Sequence, residues 1–211
     1  MNLDEMSLDQ IGLVHGTDQA SSHHGFLSHM ESFLEPMRET ASKVVEIGVA
    51  GAAGTRTLRD YFSNAHIFGI DHNPESCKFD LGPRVTLIHG DASHEEFWKQ
   101  FENENGGNLD LISDDASHNV WATWVAFHQG WKLLKPSGLF LIQDIHAGWD
   151  PAYRRDNEPN GLPKYMTVHD WICDLAITRL HEGGANQCGK PTTADFESIY
   201  LSKSLAVIKK R

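Results

Sequence analysis

Short apolar runs alternate with amphipathic stretches along most of the chain. Phe26, Met30, Phe33, Leu34 and Met37 fall at helical spacing, predicting a helix over 26–40 with Pro36 near its end. Strands follow at 43–48, 66–70, 84–89, 109–113 and 138–143, separated by helices at 54–62, 93–103 and 120–134 and by a proline-containing stretch at 73–83. Strands alternating with helices at these spacings predict a parallel sheet wound on both faces. A loop holding Pro151, Pro159, Gly161 and Pro163 leads to a helix at 165–181. The chain then reads as a β-hairpin, 196–201 and 205–208 around a Ser-Lys-Ser turn. The expected fold class is α/β: a doubly wound, mostly parallel seven-stranded sheet with an antiparallel hairpin at its carboxyl end.

Composition narrows the classes. The 211 residues suit one domain, with a helical segment over 1–40 and the sheet-bearing core over 41–211. A formal net charge of −11, with no basic cluster interleaved with aromatics, argues against a nucleic-acid partner. Cys77, Cys173 and Cys188 have neither the pairing nor the spacing of a disulfide framework or zinc site, so reduced thiols are expected. No targeting segment or bilayer-length apolar run is visible, and the expectation is a cytoplasmic protein without a membrane partner. Phe26, Phe33 and Leu34 could leave an apolar face for a partner subunit, which would allow a homo-oligomer.

The chemistry begins where the first strand ends. Glu46 precedes Gly48-x-x-Gly51-x-x-Gly54, and the next strand ends on Asp71. Glycines there let a strand turn sharply into a helix and let a ligand approach the backbone, and an acid at the neighbouring tip can take both ribose hydroxyls. The glycines alone also suit a turn in any α/β protein. Together with the two acids they point to a nucleoside cofactor. The spacing departs from the G-x-G-x-x-G of dinucleotide sites, and Glu46 would sit badly beside a pyrophosphate. S-adenosylmethionine, with its sulfonium and ammonium, fits better than NAD.

Further segments sharpen the picture: His15-Gly16-Thr17-Asp18-Gln19, Gly90-Asp91, Asp114-Asp115-Ala116-Ser117-His118 and Gln143-Asp144. With the glycine region and Asp71 they resemble class I S-adenosylmethionine-dependent methyltransferases. More narrowly, the chain is similar to the metal-dependent O-methyltransferases of macrolide and other secondary-metabolite deoxysugars. The resemblance runs from about Ile11 to Asp144. It implies cofactor contacts from Thr17 in an amino-terminal lid, from Glu46, Gly48 and Gly51 around the methionine part, from Asp71 at the ribose, from Asp91 near the adenine and from Asp114. The family often carries lysine where this chain has Gln19.

Methyl transfer to an alcohol requires a proton acceptor or a lowered hydroxyl pKa. His118, three residues after Asp115, is assigned as general base, with Asp115 beside it in the catalytic set. Asp115, Gln143 and Asp144 are assigned as the metal site, for Mg²⁺. Metal-dependent relatives typically carry glutamate at the position of Gln143; an amide can ligate but adds no charge. The activity implied is O-methylation of a small-molecule acceptor, a sugar or other secondary metabolite. Metal-independent methylation of a phenol or carboxylate, an NAD-type oxidoreductase and a non-catalytic cofactor-binding protein stay open as alternatives. Asp114 and Asp115 could instead cap the 120–134 helix, His118 could simply start it, and His146 suits structure or solvent better than catalysis. His23, His24 and His29 read as solvated, Trp121, Trp124 and Trp131 as a core face, and the loop 145–164, with Trp149 and Tyr153, as an acceptor wall.

Overall fold

The predicted strands form in the computed structural model, which describes residues 3–73, 75, 79–150, 153, 167–180 and 195–211. The elements run α1 (Leu8–His15), α2 (Phe26–Leu34), β1 (Lys43–Ile47), α3 (Ala53–Tyr61), β2 (His66–Asp71), β3 (Val85–His89), α4 (Glu95–Asn105), β4 (Leu109–Asp114), α5 (Val120–Leu133), β5 (Leu134–Gln143), α6 (Val168–Leu180), β6 (Phe196–Leu201) and β7 (Leu205–Lys210). The strands are ordered β3-β2-β1-β4-β5-β7-β6 in one seven-stranded sheet. The expected fold class is therefore the one observed.

The chain divides into two compact units, Met1–Asp91 with Leu109–Ala116, and Ala92–Asn108 with Ser117–Arg211. In the first, β1 lies between β2 and β4 with all pairings parallel, and β3 continues the sheet beside β2. Val44, Val45, Ile67, Leu111 and Ile112 are fully buried, as expected of parallel strands covered on both faces. A buried acid ties the entry to β1: Asp110 accepts from the backbone N–H groups of Ser42 (2.8 Å) and Lys43 (2.9 Å) through one oxygen. Helix α1, absent from the periodicity reading, starts at a capping box between Ser7 and Gln10, and Glu31 on α2 accepts from its Leu8 N–H at 2.9 Å.

In the second unit β5 and β6 flank β7, both pairings antiparallel, and the hairpin turns over Ser202, whose N–H donates to Leu205 O at 2.9 Å. An aromatic core links its elements: the Phe127 ring on α5 meets Phe140 on β5 at 5.1 Å and Trp171 on α6 at 5.2 Å.

Four expectations need correction. The helix at 26–40 ends at Leu34 and continues only as a 3₁₀ turn over Glu35–Met37, because Pro36 has no N–H to extend the α pattern. Phe26 and Leu34 are buried within the chain and Phe33 is half-buried, so these residues offer no open apolar face. Trp131 is core, but Trp121 and Trp124 are half-buried; Val120, Thr123 and Phe127 hold the inner stripe of α5 with it. Strand β5 starts four residues early, at Leu134, and passes through Ser137 at φ +64°.

Candidate active site

In the first unit, parallel register brings four strand ends to one level. Ile47 pairs with Ile70 and with Asp114, and Asp71 pairs with His89. Gly48 leaves β1 at φ +91°, and a Cβ there would overlap the Asp115 backbone carbonyl, so only glycine allows this approach. Ala50 and Ala52 follow at φ 45° and 63°, left-handed positions that side chains adopt at a cost. Gly51 is exposed, with nothing close to its α-carbon face.

Glu46 lies under this turn, 2 % exposed, with Thr55 of α3 donating to its Oε2. Burial pushes its carboxyl up to about 8, helped by the negative charge of Asp71 and opposed by the Thr55 hydrogen bond. Gly54 leaves the space this needs: a Cβ there would overlap Glu46 Oε1 and come within 3.1 Å of Gln19 Nε2.

Asp71 behaves oppositely. Burial works to raise it, but N–H groups of Ala50, Asn73 and Val49 outweigh that and hold the carboxylate below its ordinary range. Its Oδ2 accepts from Val49 and Ala50, both at 2.9 Å, and Oδ1 from Asn73 at 2.7 Å. The glycine turn and the acid are thus one structure, and the acceptor capacity left for a ribose lies on Oδ1. Gly90 N–H donates to Asp71 O at 3.0 Å, which sets the exposed Asp91 beside the same strand end.

Thr17 is buried, 3 % exposed, and its hydroxyl accepts weakly from Gln19 N–H at 3.4 Å. Gln19 is also buried and donates from Nε2 to Asp115 Oδ2 at 2.7 Å. Asp114 is buried, with Oδ1 accepting from Ala116 N–H at 3.3 Å.

The second unit holds the remaining residues. Asn119 is the cap of α5, accepting from Trp121 N–H at 3.0 Å and donating from Nδ2 to Tyr153 O at 3.2 Å. The capping alternative for Asp114 and Asp115 is thereby taken by another residue. His118 precedes the cap at φ +53°, its ring 5.7 Å from that of Tyr153. Asp144 leaves β5 at φ +51°, with Oδ2 3.8 Å from His118 Nε2 and Oδ1 3.7 Å from His146 Nδ1. His118 and Asp144 are thus two non-glycine residues held left-handed at one carboxylate–imidazole contact. Gln143 is buried and pairs with Leu205.

His23, His24 and His29 are exposed, as expected. Of the loop 145–164, residues 151, 152 and 154–164 lie outside the described residues, as do Cys77 and Cys188; Trp149 and Tyr153 are exposed, and Cys173 is a free thiol. Among the described residues no helix is long and apolar enough to cross a membrane. Gln19, Thr55 and His146 emerge as site neighbours that the sequence patterns did not assign to the site, although each had a local signal: Gln19 next to Asp18 in the amino-terminal segment, Thr55 one residue beyond the last glycine and His146 two residues after Asp144.

No family model matches the chain. It is 26 % identical to the 8-demethyl-8-α-L-rhamnosyl tetracenomycin-C 2′-O-methyltransferase of Streptomyces olivaceus, over 99 % of this chain and 56 % of that protein. It is 25 % identical to the demethylmacrocin O-methyltransferase of Streptomyces fradiae, over 92 % of this chain and 50 % of that protein. A crystal structure of the MycE methyltransferase from the mycinamycin biosynthetic pathway, in complex with Mg and SAH, superposes with a TM-score of 0.80 at 20 % identity, covering 97 % of this chain and 54 % of that one. The chain spans about half the length of the curated relatives it matches. The chain therefore has the Rossmann-like methyltransferase fold and is similar to the two Streptomyces O-methyltransferases named here.

Proposed function

We propose that this chain is a single S-adenosylmethionine-dependent methyltransferase domain, 1–211, that methylates a hydroxyl of a small molecule, a sugar or other secondary metabolite. The observation that carries the reading is Glu46: a carboxyl buried behind a glycine turn that Asp71 fastens, with burial pushing its pKa up. An anionic pyrophosphate would gain nothing from such a group, whereas an arriving ammonium would favour its carboxylate form and pair with it. Gly51 leaves room for the methionine part while Gly48 would serve it by letting the Asp115 backbone close on the turn, Asp71 Oδ1 has capacity for a ribose hydroxyl, and Asp91 is exposed and could accept from an adenine amino group. Thr17 and Asp114, both buried, would serve the cofactor by fixing the segments that carry Gln19 and Asp115.

The donor set also fits a divalent cation. Asp115 and Asp144 are half-buried carboxylates and Gln143 is a buried amide, residue types that suit a hard cation. When bound, the cofactor supplies the methyl group and the cation lowers the pKa of the acceptor hydroxyl. Asp115, oriented by Gln19, and Asp144 would hold the cation with Gln143. His118 would take the acceptor proton on a ring nitrogen, with Tyr153 bracing the imidazole.

Incubation with S-adenosylmethionine and a panel of deoxysugar-bearing acceptors, read by mass spectrometry for a gain of one methyl group, tests the reading. Transfer to a hydroxyl that is abolished by His118→Ala supports it. Transfer only to phenols or carboxylates, unaffected by chelator, would support the metal-independent alternative that the uncharged Gln143 favours.

A further inference from the structure

His15 opens the amino-terminal segment that carries Thr17 and Gln19, and the scheme above gives it no task. It is the last residue of α1, its side chain is 7 % exposed, and its Nε2 lies 2.7 Å from Asp60 Oδ2 on α3. Burial works to raise the Asp60 carboxyl, but hydrogen bonds from Arg59 and His15 outweigh it and hold the group below its ordinary range. A carboxylate only accepts, so the proton of this contact sits on His15 Nε2. The other ring nitrogen, Nδ1, is buried with no hydrogen-bond partner among the described residues. A polar atom stranded in this way calls for a reason beyond stability.

The contact joins two parts of the first unit that both meet the glycine turn. On one side, Gly16 turns left-handed off α1 at φ 71°, and Gln19 follows four residues after His15. The Gln19 amide nitrogen borders the α-carbon face of Gly54, which Glu46 Oε1 also borders. On the other side, Arg59 donates to Asp60 from Nε at 2.6 Å and from Nη2 at 2.9 Å, and from Nη1 to Leu81 O at 3.2 Å. Leu81 forms one buried cluster with Val49 and Ala52 of the turn itself. One carboxylate therefore ties the segment that brings Gln19 to the turn to the residue packed against the turn.

We propose that His15 is a positioning residue of the cofactor site: by donating from Nε2 to Asp60 it fixes where Thr17 and Gln19 meet the glycine turn, and so sets the affinity for the amino-acid end of S-adenosylmethionine. This rests on the preceding reading that the methionine part lies at that turn. Without the bond α1 keeps Leu8 and Ile11 buried, whereas the segment after Gly16, a residue with no side chain to restrain it, loses its fixed starting point.

The test compares His15→Ala, His15→Asn and His15→Gln. Glutamine places an amide N–H near the position of Nε2, whereas asparagine places one near Nδ1, short of Asp60. The N–H groups of Ala20, His24 and Leu27 bond the carbonyls of Thr17, Asp18 and Gln19. In hydrogen exchange of the free protein these three should exchange at least about tenfold faster in His15→Ala and His15→Asn and near the parent rate in His15→Gln, with β1 unchanged in all three. Calorimetry should show S-adenosylmethionine binding weakened about tenfold in the first two variants and within about threefold of the parent in the third. The assignment is overturned if His15→Gln is impaired as much as His15→Asn, if exchange rises equally in β1, or if His15→Ala keeps the parent's exchange and affinity. If the parent itself binds no S-adenosylmethionine, the cofactor reading fails; if the parent binds and the variants match it, the role of His15 alone fails.

Discussion

Replacing Glu46 by glutamine isolates the cost of a buried carboxyl. In the native chain burial raises this group from 4.5 to about 8, while in the unfolded chain it titrates normally. Because the folded pKa lies above the unfolded one, the stabilisation linked to this group is complete below about pH 4.5 and is lost as the pH rises through about 8. At about 1.4 kcal/mol per unit, the loss between roughly pH 6 and pH 9 comes to about 3 kcal/mol. Glu46→Gln cannot ionise, still accepts from Thr55, and should lack this component. Urea unfolding followed by tryptophan fluorescence, with typical slopes of about 1 to 3 kcal/mol per molar, should show the gap between the two proteins' midpoints changing by about 1 to 3 M across that range, in favour of the variant at high pH. The same chemistry predicts that cofactor binding near pH 7 releases up to about one proton, visible as buffer-dependent calorimetric heat. Parallel stability curves for the two proteins from pH 6 to pH 9 would refute the assignment of a neutral buried Glu46.

Gly48→Ala should destabilise the fold by roughly 2 to 4 kcal/mol in urea, because it adds a side chain at φ +91° against the Asp115 carbonyl. Asp110→Ala, which removes the acceptor of the part-buried N–H groups of Ser42 and Lys43, should cost roughly 1 to 3 kcal/mol by the same assay without altering cofactor affinity in the protein that remains folded. His118→Ala should lower the methyl-transfer kcat by about 10² to 10⁴ while S-adenosylmethionine still binds in calorimetry.

The parts legible in sequence were those with a local cause. Strands β1 and β2 are apolar runs that end at glycine or an acid, and the β6–β7 hairpin shows two strands around a short polar turn. Gly48, Glu46 and Asp71 could be picked out because strand-end chemistry restricts what can stand there. Helix α1 escaped the periodicity because its apolar stripe is only Leu8 and Ile11 beside Gly12; a capping box and the Glu31 contact from α2 complete it. The same holds in the site. Gln19 reads as a missing lysine in sequence and becomes the donor to Asp115 only through a contact across 96 residues. Asp71 looked like a ribose ligand alone, yet most of its acceptor capacity fastens the glycine turn, a use set by the β1–β2 register. His146 lay two residues from a named acid, but only the left-handed turn at Asp144 brings its Nδ1 toward that carboxylate.

The central claim is that the glycine turn, Glu46 and Asp71 form a site for a cationic nucleoside. Isothermal titration of S-adenosylmethionine into the protein, beside NAD and with Mg²⁺ or chelator present, measures it most directly. Saturable binding of S-adenosylmethionine, weakened by Glu46→Gln and by Asp71→Asn and unmatched by NAD, is the predicted result. Absence of S-adenosylmethionine binding, or NAD binding of equal strength, would contradict the account.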